Sequence, residues 1–477
     1  MMKQLGPGPL QFACSCLMML TLGCVVPVLA SMERPDAASE SQTGAAPAFR
    51  THCIQSGDTL LRIASSYRAE TGHFALSDML GTILAANEMT TESLLFPGRF
   101  LLIPICPPTK CPVVPEPSIA GADLRGIYLP GVACGFVTLF DRVDRFIAAG
   151  GNGVVFDAKG VADGVFYRSH QPLADCERRG RGVVITSLAE LLERLQERRL
   201  YVVARIACFL DNDLGRRRPD LALTDSSGAV WTERDQVWLD PANAEVRAYL
   251  LGVAVELARA GVHEIQFDYV RYPTNGWATV SGTDIATTAK KHRRVITSFL
   301  REARESLAPH SVLISADLFG IMAYARPVDL AATGQDIAEI AEHVDFICPM
   351  VYPSHYDPGF MGFEQPADEP AAVVAEACRR FTRLAAGKAR IRPWLQAFAW
   401  RTSQYDAAYV SAQIEGGEAG GSDGYCLWNA ACRYSIALTA LQPPAVTVTV
   451  ADPSSAQPGP WPFAAGLVSP FSAVPAP

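Results

Sequence analysis

Strand-like and helix-like segments alternate along residues 122–440 of this 477-residue chain, and this alternation most constrains its fold. The strand-like segments are the apolar runs "GIYL" from 126, "GVVFDAK" from 153, "YVVARIACF" from 201, "EIQFDYV" from 264, "VLISADLF" from 312, "VDFICPMVY" from 344, "IRPWLQAF" from 391 and "GYCLWNA" from 424. Repeated strand–helix units imply parallel strands joined by right-handed crossovers. Eight units over roughly 320 residues predict an α/β fold, the (β/α)8 TIM barrel, with a doubly wound open sheet as the alternative.

Capping residues indicate where some of the intervening helices begin. Asp240-Pro241 predicts a helix that runs to Gly261, with a cap followed by a proline in the first turn. Ser187 and Glu190 have the spacing of a capping box. No Gly-x-Gly-x-x-Gly motif follows the first strand, so the sequence does not support dinucleotide binding or any other cofactor.

The first thirty residues are typical of an export signal. Lys3 precedes an apolar stretch that ends in the small-residue sequence Val28-Leu29-Ala30, which predicts a signal peptide over residues 1–30. Leu22-Gly23-Cys24 partly resembles a lipobox, so a lipid anchor at Cys24 is the alternative. Since no later segment is apolar for long enough to span a bilayer, we expect an exported chain without a transmembrane span in the periplasm or cell envelope.

Pro-, Ala- and Ser-rich stretches separate two folded blocks. They predict a flexible spacer over residues 31–50, a stiff Pro-rich linker over 105–121 and a disordered tail over 441–477. The folded blocks are therefore residues 51–104 and 122–440.

Charge and cysteine content exclude several classes of partner and site. The net charge is −8, and no basic helix is interleaved with exposed aromatic residues, so nucleic acid is not the expected partner. Among the 13 cysteines, Cys53 is placed to pair with Cys106 or Cys111, and Cys426 is close enough in sequence to pair with Cys432. The chain has no Cys-x-x-Cys or His-x-x-x-His motif, so no metal site is predicted.

The block 51–104 has the order strand, helix, helix, strand. Asp58 or Thr59 is placed to cap the first helix, a second helix leads to Asn87, and Pro97-Gly98 turns the chain into the last strand. The pattern "SGDTL…IA…AN…L.PG..L.IP" resembles the LysM domain over the whole block. The resemblance implies binding to a glycan that contains N-acetylglucosamine, in a groove lined by Gly57, Asp58, Thr59, Leu60, Asn87, Leu94 and Pro97. A small domain that only packs is the alternative.

Polar and aromatic side chains lie at the predicted carboxyl ends of most barrel strands. They are Asp157, Lys159, Arg205, Asp268, Arg271, Asp317, Tyr352, His355, Gln396, Trp400, Trp428 and Asn429. Active sites of TIM barrels lie at this end of the strands, so we expect these residues to surround one pocket, with Asp268 at its rim. A single aspartate at a strand end is as often a helix cap or the partner of an arginine, and a single tryptophan is more often part of a core.

Asp268 and Asp317 end neighbouring predicted strands. Adjacent strands lie about 4.8 Å apart, so the two carboxyl groups are expected within roughly 5 to 9 Å, the range used in glycoside hydrolysis. One carboxylate attacks or stabilises the anomeric carbon, and the other carries the proton for the departing oxygen. Arg205 and Arg271 are placed to keep Asp268 ionised, and Tyr352, Trp394, Trp400 and Trp428 have flat faces that suit sugar rings.

The segment "VWLDPANAEVRAYLLGVAVELARAGVHEIQFDYVRYP" resembles the putative glycosyl hydrolase domain family of alpha-amylase-like barrels. The similarity runs from about Gly126 to Arg433 and includes "GVVFDAK", "ISADLFG" and "ICPMVYPSHY". It implies that Asp268 is the nucleophile and Asp317 the acid. Other related groups place the acid after strand 6, where this chain has Tyr352 and His355 and, further on, Asp357 and Glu364.

The sequence therefore predicts a cell-wall-associated glycoside hydrolase whose substrate is peptidoglycan or another amino-sugar glycan. A barrel that binds glycan without cutting it is the alternative. Action on ester or N-acetyl groups is disfavoured, because no Gly-x-Ser-x-Gly motif directly follows a predicted strand, as a nucleophile elbow requires, and the chain has no metal triad.

Overall fold

A computed structural model of the chain describes residues 48–67, 76–91, 93–105, 123–174, 183–274 and 284–441. The predicted signal peptide, most of the spacer and linker, and the tail from 442 lie outside the described residues, as do Cys24, Cys106 and Cys111. Within the described ranges, no helix combines the length and the apolar character needed to cross a membrane.

The first block consists of β1 (Ala48–Cys53), α1 (Leu60–Tyr67), α2 (Leu76–Ala86) and β2 (Phe100–Ile105). β1 pairs with β2 in antiparallel orientation. The predicted spacer is therefore too long, because its last three residues, 48–50, already belong to β1. Thr59 rather than Asp58 caps α1, since its hydroxyl accepts a 3.2 Å hydrogen bond from the backbone amide of Arg62.

The second block contains the remaining elements. Its strands are β3 (Leu124–Leu129), β4 (Gly153–Gly160), β5 (Gly164–Val165), β6 (Tyr201–Ala207), β7 (Thr232–Glu233), β8 (Gln236–Val237), β9 (Glu264–Asp268), β10 (Leu313–Phe319), β11 (Phe346–Val351), β12 (Arg390–Ile391), β13 (Trp394–Gln396) and β14 (Gly424–Trp428). Its helices are α3 (Thr138–Ala148), α4 (Leu188–Glu197), α5 (Asn212–Arg217), α6 (Ala244–Ala260), α7 (Ile285–Leu307), α8 (Pro327–Thr333), α9 (Ile337–Ile340), α10 (Pro370–Ala385), α11 (Ala407–Ala419) and α12 (Ser435–Leu441).

The long parallel strands close into a ring. Their order is β3, β4, β6, β9, β10, β11, β13 and β14, and β14 pairs again with β3. The short β12 precedes β13 and also pairs with β11, so β12 and β13 together occupy the seventh strand position of the barrel. The predicted TIM barrel is confirmed, and the open sheet is wrong because the ring has no edge strand.

Two apolar cores lie on opposite faces of the ring. The larger core packs the outward-facing strand residues against the helices, which is why the strands are apolar on both faces. The smaller core fills the ring with inward-facing side chains, among them Tyr128, Val203, Cys348 and Trp394. At the amino-terminal end of the strands, the Arg392 guanidinium donates to both carboxylate oxygens of Glu264 at 3.0 Å, and both side chains are fully buried.

Two local predictions need correction. The helix after Asp240-Pro241 begins at Ala244, and Asn243 caps it by accepting hydrogen bonds from the amides of Glu245 and Val246. The suggested Cys426–Cys432 disulfide is absent, and both thiols are free and buried. Cys426 belongs to the core inside the ring and Cys432 to the core outside it, so the strands separate them.

Of the predicted capping box, the half made by Ser187 is present. Its hydroxyl accepts a 3.2 Å hydrogen bond from the amide of Glu190, at the start of α4. The Glu190 carboxylate instead pairs with Arg194 one turn later in the helix.

Candidate active site

Four charged side chains meet inside the carboxyl end of the ring, and we call them the carboxylate cluster: Asp157 of β4, Arg205 of β6, Asp268 of β9 and Asp317 of β10. Arg205 lies at the centre. Its Nη1 donates to Asp157 Oδ1 at 2.5 Å and its Nη2 donates to Asp268 Oδ2, while its Nε lies 3.6 Å from Asp317 Oδ2. Three carboxyl groups thus surround a single positive charge, which leaves at least one of them without an ionic partner of its own.

Each carboxyl group of the cluster also accepts a hydrogen bond from a second donor. The Tyr128 hydroxyl donates to Asp157 at 2.6 Å, the backbone amide of Tyr269 donates to Asp268 at 2.5 Å, and the Trp394 indole donates to Asp317 at 2.8 Å. Because donors approach from fixed strands and rings, the orientation of all three carboxyl groups is set before any substrate binds.

The predicted exposure of Asp268 at a pocket rim is wrong. Asp268 is 5% exposed and Asp317 1% exposed, so both are buried. The charge at the end of β9 is compensated by the guanidinium of Arg205. A buried carboxylate is tolerated when it is paired and hydrogen-bonded in this way.

The two proposed catalytic acids have different electrostatic environments. Burial raises the pKa of Asp317 well above its ordinary value, the adjacent Asp268 carboxylate raises it further, and the opposing effects of Arg205 and Trp394 are smaller. Asp317 therefore favours the protonated form. Asp268 receives hydrogen bonds from a guanidinium and a backbone amide, which are donors that suit an ionised carboxylate.

Aromatic rings cover the guanidinium of Arg205. The carbon at the centre of the guanidinium lies 5.3 Å from the ring centroid of Trp428 and 5.6 Å from that of Tyr128. The centroids of these two rings are 4.1 Å apart with their planes tilted by 33°, and Trp394 meets Trp428 edge to face at 5.6 Å. Trp428 is partly exposed and so gives the cluster an aromatic face toward solvent.

A second aromatic group follows β11 and β13. The ring of His355 lies 5.1 Å from Tyr352, 4.9 Å from Trp400 and 6.2 Å from Phe398. Burial lowers the pKa of His355 to about 4, and the positive charge of Arg401 acts in the same direction, so its imidazole is neutral at neutral pH. The predicted residues Tyr352, His355 and Trp400 are thus brought together, without a contact to the carboxylate cluster among the contacts of the described residues.

Lys159 lies outside the site that the sequence predicts for it. Its ammonium group is fully buried, forms a 2.8 Å ion pair with Asp211 and donates to the carbonyl of Ala207 at 2.6 Å. A register shift in β4 between Asp157 and Lys159 turns this side chain away from the cluster. Lys159 therefore ties β4 to the loop that opens α5.

Arg271 likewise has another role than the predicted one. Its guanidinium donates to the carbonyl of Tyr272 and packs between the rings of Trp238 and Phe319, at 4.5 and 4.4 Å from their centroids. Arg205, and not Arg271, is the cation that contacts Asp268.

The amides of Gln396 and Asn429 hold backbone in place. Gln396 is fully buried, donates to the carbonyl of Phe398 and accepts from the amide of Ser354. The Asn429 amide donates to Ala397 O at 2.6 Å and accepts from the amides of two later residues. Both order the loops at the barrel mouth without pointing a free polar atom toward the cluster.

The alternative acids after strand 6 lie at the protein surface. Asp357 has a side chain that is 44% exposed and lies 3.5 Å from Arg401, and Glu364 is exposed. Neither joins the carboxylate cluster. Among the described residues, no group of His, Cys, Asp or Glu side chains is arranged to hold a metal ion.

In the first block, the predicted groove residues differ in their availability. Leu94 is 76% exposed, and Gly57, Thr59 and Pro97 are exposed as well. The side chain of Asn87, by contrast, is engaged, because its amide makes two 2.7 Å hydrogen bonds to Ile83 O and Leu102 O and accepts a third from Leu102 N. Asn87 therefore joins α2 to β2.

Sequence reasoning missed two donors to the cluster, Tyr128 and Tyr269. Tyr128 had a detectable signal, because it lies near the end of β3 and two-residue spacing puts it on the same inward face as Gly126 and Leu124. Tyr269 had none, since its contribution is a backbone amide. Trp394 was expected to offer a flat face and instead donates a hydrogen bond from a side chain that is 1% exposed.

A model of the family described as "Putative glycosyl hydrolase domain" matches residues 126–434, more than half of the 477-residue chain. The chain belongs to this family. No curated protein is similar enough to this chain to count as a relative.

Three solved structures illustrate what the fold is similar to. A hypothetical protein from Ruminiclostridium thermocellum is 30% identical, covering 40% of this chain and 96% of its own, with a TM-score of 0.34. The PgaB (BpsB) glycoside hydrolase domain from Bordetella bronchiseptica is 14% identical, with 65% and 94% covered and a TM-score of 0.49. The spore cortex-lytic enzyme SleL from Bacillus megaterium is 13% identical, with 82% and 85% covered and a TM-score of 0.41.

Proposed function

We propose that the barrel is a glycosidase in which Asp268 is the nucleophile and Asp317 the general acid and base. The observation that carries the proposal is the carboxylate cluster, where two carboxyl groups on adjacent strands share one guanidinium yet differ in environment. Such a pair meets the requirement of glycoside hydrolysis for one ionised and one protonated carboxyl group.

In the proposed reaction, an Asp268 oxygen attacks the anomeric carbon while the bond to the departing oxygen breaks and the Asp317 proton passes to that oxygen. Asp317, now ionised, takes a proton from water, and the resulting hydroxide displaces Asp268. Adjacent parallel strands are about 4.8 Å apart, which supports the close spacing of roughly 5 to 5.5 Å used by enzymes that retain configuration.

The proposed substrate is peptidoglycan or another glycan that contains N-acetylglucosamine. The LysM-like pattern of residues 51–104 supports this class, and the export signal predicted for residues 1–30 supports action in the cell envelope. A domain that holds the polymer raises the concentration of glycosidic bonds near the barrel.

A second candidate is a barrel that binds glycan without cutting it, and the burial of the cluster favours this reading. Since Asp317 is 1% exposed, a sugar reaches it only after neighbouring rings such as Trp428 have moved. In a non-catalytic barrel that movement does not occur, and the cluster is a structural ion network.

The test is release of reducing ends from cell-wall glycan by the full chain, with Asp268→Asn and Asp317→Asn. We expect each variant to lose roughly two or more orders of magnitude in rate. The matched control is Asp357→Asn, a carboxylate beyond strand 6 that is exposed at the surface and is expected to keep the wild-type rate.

A trapping experiment assigns the nucleophile. With Asp268→Gly and added azide, we expect a glycosyl azide of inverted configuration, because azide takes the place of the missing carboxylate. Equal, measurable activity of wild type and Asp268→Asn would contradict the role of Asp268 as nucleophile. No release of reducing ends from any amino-sugar glycan would leave the binding barrel as the function.

A further inference from the structure

Three polar side chains form one layer inside the ring, directly beneath the acids of the cluster. Arg205 of β6 is the register partner of Gln266 of β9, and Gln266 is the register partner of Ser315 of β10. Gln266 and Ser315 each lie two residues before an acid, Asp268 and Asp317, and therefore point to the same side of their strands. Neighbouring strands are about 4.8 Å apart, so the three side chains are adjacent.

Each of the three carries a buried polar atom without a hydrogen-bond partner among the described residues: Arg205 Nε, Gln266 Oε1 and Ser315 Oγ. The three residues are 5%, 0% and 0% exposed. The other amide atom of Gln266, Nε2, donates to Cys348 Sγ at 3.3 Å, which directs Oε1 away from the sulfur. Buried polar atoms are rarely left unpaired, and three in one layer indicate a common partner.

We propose that one water molecule binds between Arg205 Nε, Gln266 Oε1 and Ser315 Oγ, and that Gln266 and Ser315 thereby act as positioning residues for Arg205. The water accepts from Nε, donates to Oε1 and shares its third hydrogen bond with the Ser315 hydroxyl. Three hydrogen bonds are typical of a buried water. The carboxylates of the cluster lie beside the layer and disfavour an anion in its place.

With the water in place, the N–H donors of the Arg205 guanidinium have different partners. Nη1 binds Asp157, Nη2 binds Asp268, and Nε is held by the water at 3.6 Å from Asp317, too far for a hydrogen bond. Asp317 then keeps Trp394 as its donor and has a second oxygen free for a proton. Gln266 and Ser315 thus select which carboxyl of the cluster is the acid, an assignment that rests on the function proposed above.

Loss of either anchor is expected to release Nε toward Asp317. A direct hydrogen bond from a guanidinium favours the ionised carboxylate, so the pKa of Asp317 falls by about 1 unit or more. The other ionisable groups that face Asp317 are Asp268, Glu264, Cys208, Cys348 and Cys426. None of them is replaced in the variants, and Ser315→Ala also keeps the hydrogen bond from Gln266 to Cys348, which Gln266→Leu removes.

The experiment measures the carbonyl stretch of protonated Asp317 in the full chain by infrared difference spectroscopy, with Asp317→Asn as the reference. Titration with pH gives the midpoint at which the band disappears. We expect the midpoint in Ser315→Ala and in Gln266→Leu to lie about 1 pH unit or more below that of the wild type. Val203→Ala, two residues before Arg205 inside the same ring, removes volume without a polar atom and is expected to leave the midpoint unchanged.

Two results would overturn the proposal: a wild-type midpoint in both anchor variants, or a crystal structure without a water in reach of all three atoms. Ser315→Ala removes a single oxygen, so it guards against a misfolded Gln266→Leu. The infrared titration needs no turnover. A shifted midpoint without glycan cleavage therefore contradicts the glycosidase alone, whereas cleavage with an unshifted midpoint contradicts the positioning role alone.

Discussion

At the residue scale, the backbone of Tyr269 shows how Asp268 obtains its second donor. Tyr269 has φ of 50°, in the left-handed region that a bulky residue rarely adopts. The conformation directs its amide to the carboxylate of the preceding residue. Strained backbone of this kind costs on the order of 1–3 kcal/mol and is found at functional sites, where the surroundings maintain it.

We predict that Asp317→Asn stabilises the fold increasingly as pH rises. The folded-state pKa of Asp317 is raised above 3.8, so its contribution to stability is full at low pH and is lost as pH rises from about 4 through the folded pKa. Asparagine removes this loss and keeps the acceptor for Trp394. Urea unfolding at several pH values measures the difference in free energy of unfolding between variant and wild type. Asp157 is present in both proteins, so its titration cancels in this difference. A difference that does not change with pH would contradict the raised pKa.

A second prediction concerns Lys159. Lys159→Met leaves the carboxylate of Asp211 buried without its cation, and we expect a loss of about 3–5 kcal/mol in the free energy of unfolding. The control is Lys388→Met, which breaks an ion pair whose side chains are half exposed and is expected to cost less than about 1 kcal/mol. If Lys159→Met is as stable as the control and instead weakens glycan binding, the substrate contact expected from the sequence is right.

These residues show what the sequence reveals about the site. Strand alternation placed Asp268 and Asp317 on neighbouring strands facing inward, because periodicity depends on local geometry alone. It also placed Lys159 and Arg271 at strand ends. Their long side chains contact residues in loops, however, and the packing of loops that are distant in sequence cannot be deduced from strand periodicity. The burial of the acids was missed for the same reason, since the covering rings come from β3, β13 and β14.

At the scale of elements, the start of α6 illustrates competition between two signals. Asp240-Pro241 has the composition of a helix start, but Asp240 accepts from the amide of Ala242 in a turn, and Asn243 satisfies the first free amides of the helix. Both positions suit a cap by residue type. Only the path of the chain from β8 determines which of the two residues caps α6.

Asn243→Ala is therefore expected to destabilise the fold by about 1 kcal/mol, because two amides at the start of α6 lose their acceptor. Asp240→Ala is the matched variant and is expected to cost less, since a single turn hydrogen bond is lost. Chemical denaturation of the two variants measures the difference. A larger loss in Asp240→Ala would restore the cap suggested by the sequence.

The seventh strand position of the barrel, made of β12 and β13, shows a further limit of sequence patterns. "IRPWLQAF" reads as one strand, whereas the structure has β12 and β13 on either side of Arg392-Pro393. Proline has no amide hydrogen and interrupts the ladder, although the chain stays in the ring. The sequence correctly predicted a barrel strand here, and the interruption of that strand follows from Pro393 alone.

At the scale of the whole molecule, the eight-fold alternation predicted parallel strands but allowed both a barrel and an open sheet, and the pairing of β14 with β3 decides for the barrel. The family match covers residues 126–434, which lie within the block 122–440 predicted from sequence. Strand β1 begins at Ala48, inside the predicted spacer, because its sequence has no signal that separates it from the Ala-rich stretch.

The proposed anchoring role of the first block is tested in the full chain with Leu94→Ser. Leu94 belongs to the predicted groove and is 76% exposed, so the substitution is not expected to affect folding. We expect weaker sedimentation with insoluble cell-wall glycan and an unchanged rate on soluble fragments. Phe100→Ser is the matched control, because Phe100 is 70% exposed in the same block but lies outside the predicted groove. Equal losses in both variants would contradict a groove at Leu94.

The free thiols of the barrel have a practical consequence. Cys134, Cys208, Cys348, Cys378, Cys426 and Cys432 are buried and unpaired, so the described barrel owes none of its stability to oxidation. It is expected to fold equally well in a reducing cytosol used for production. Once unfolded under oxidising conditions, however, the barrel exposes these six thiols and that of Cys176, which lies outside the described residues. They can crosslink in wrong combinations, and heating in air should inactivate the barrel irreversibly where a reductant would allow recovery.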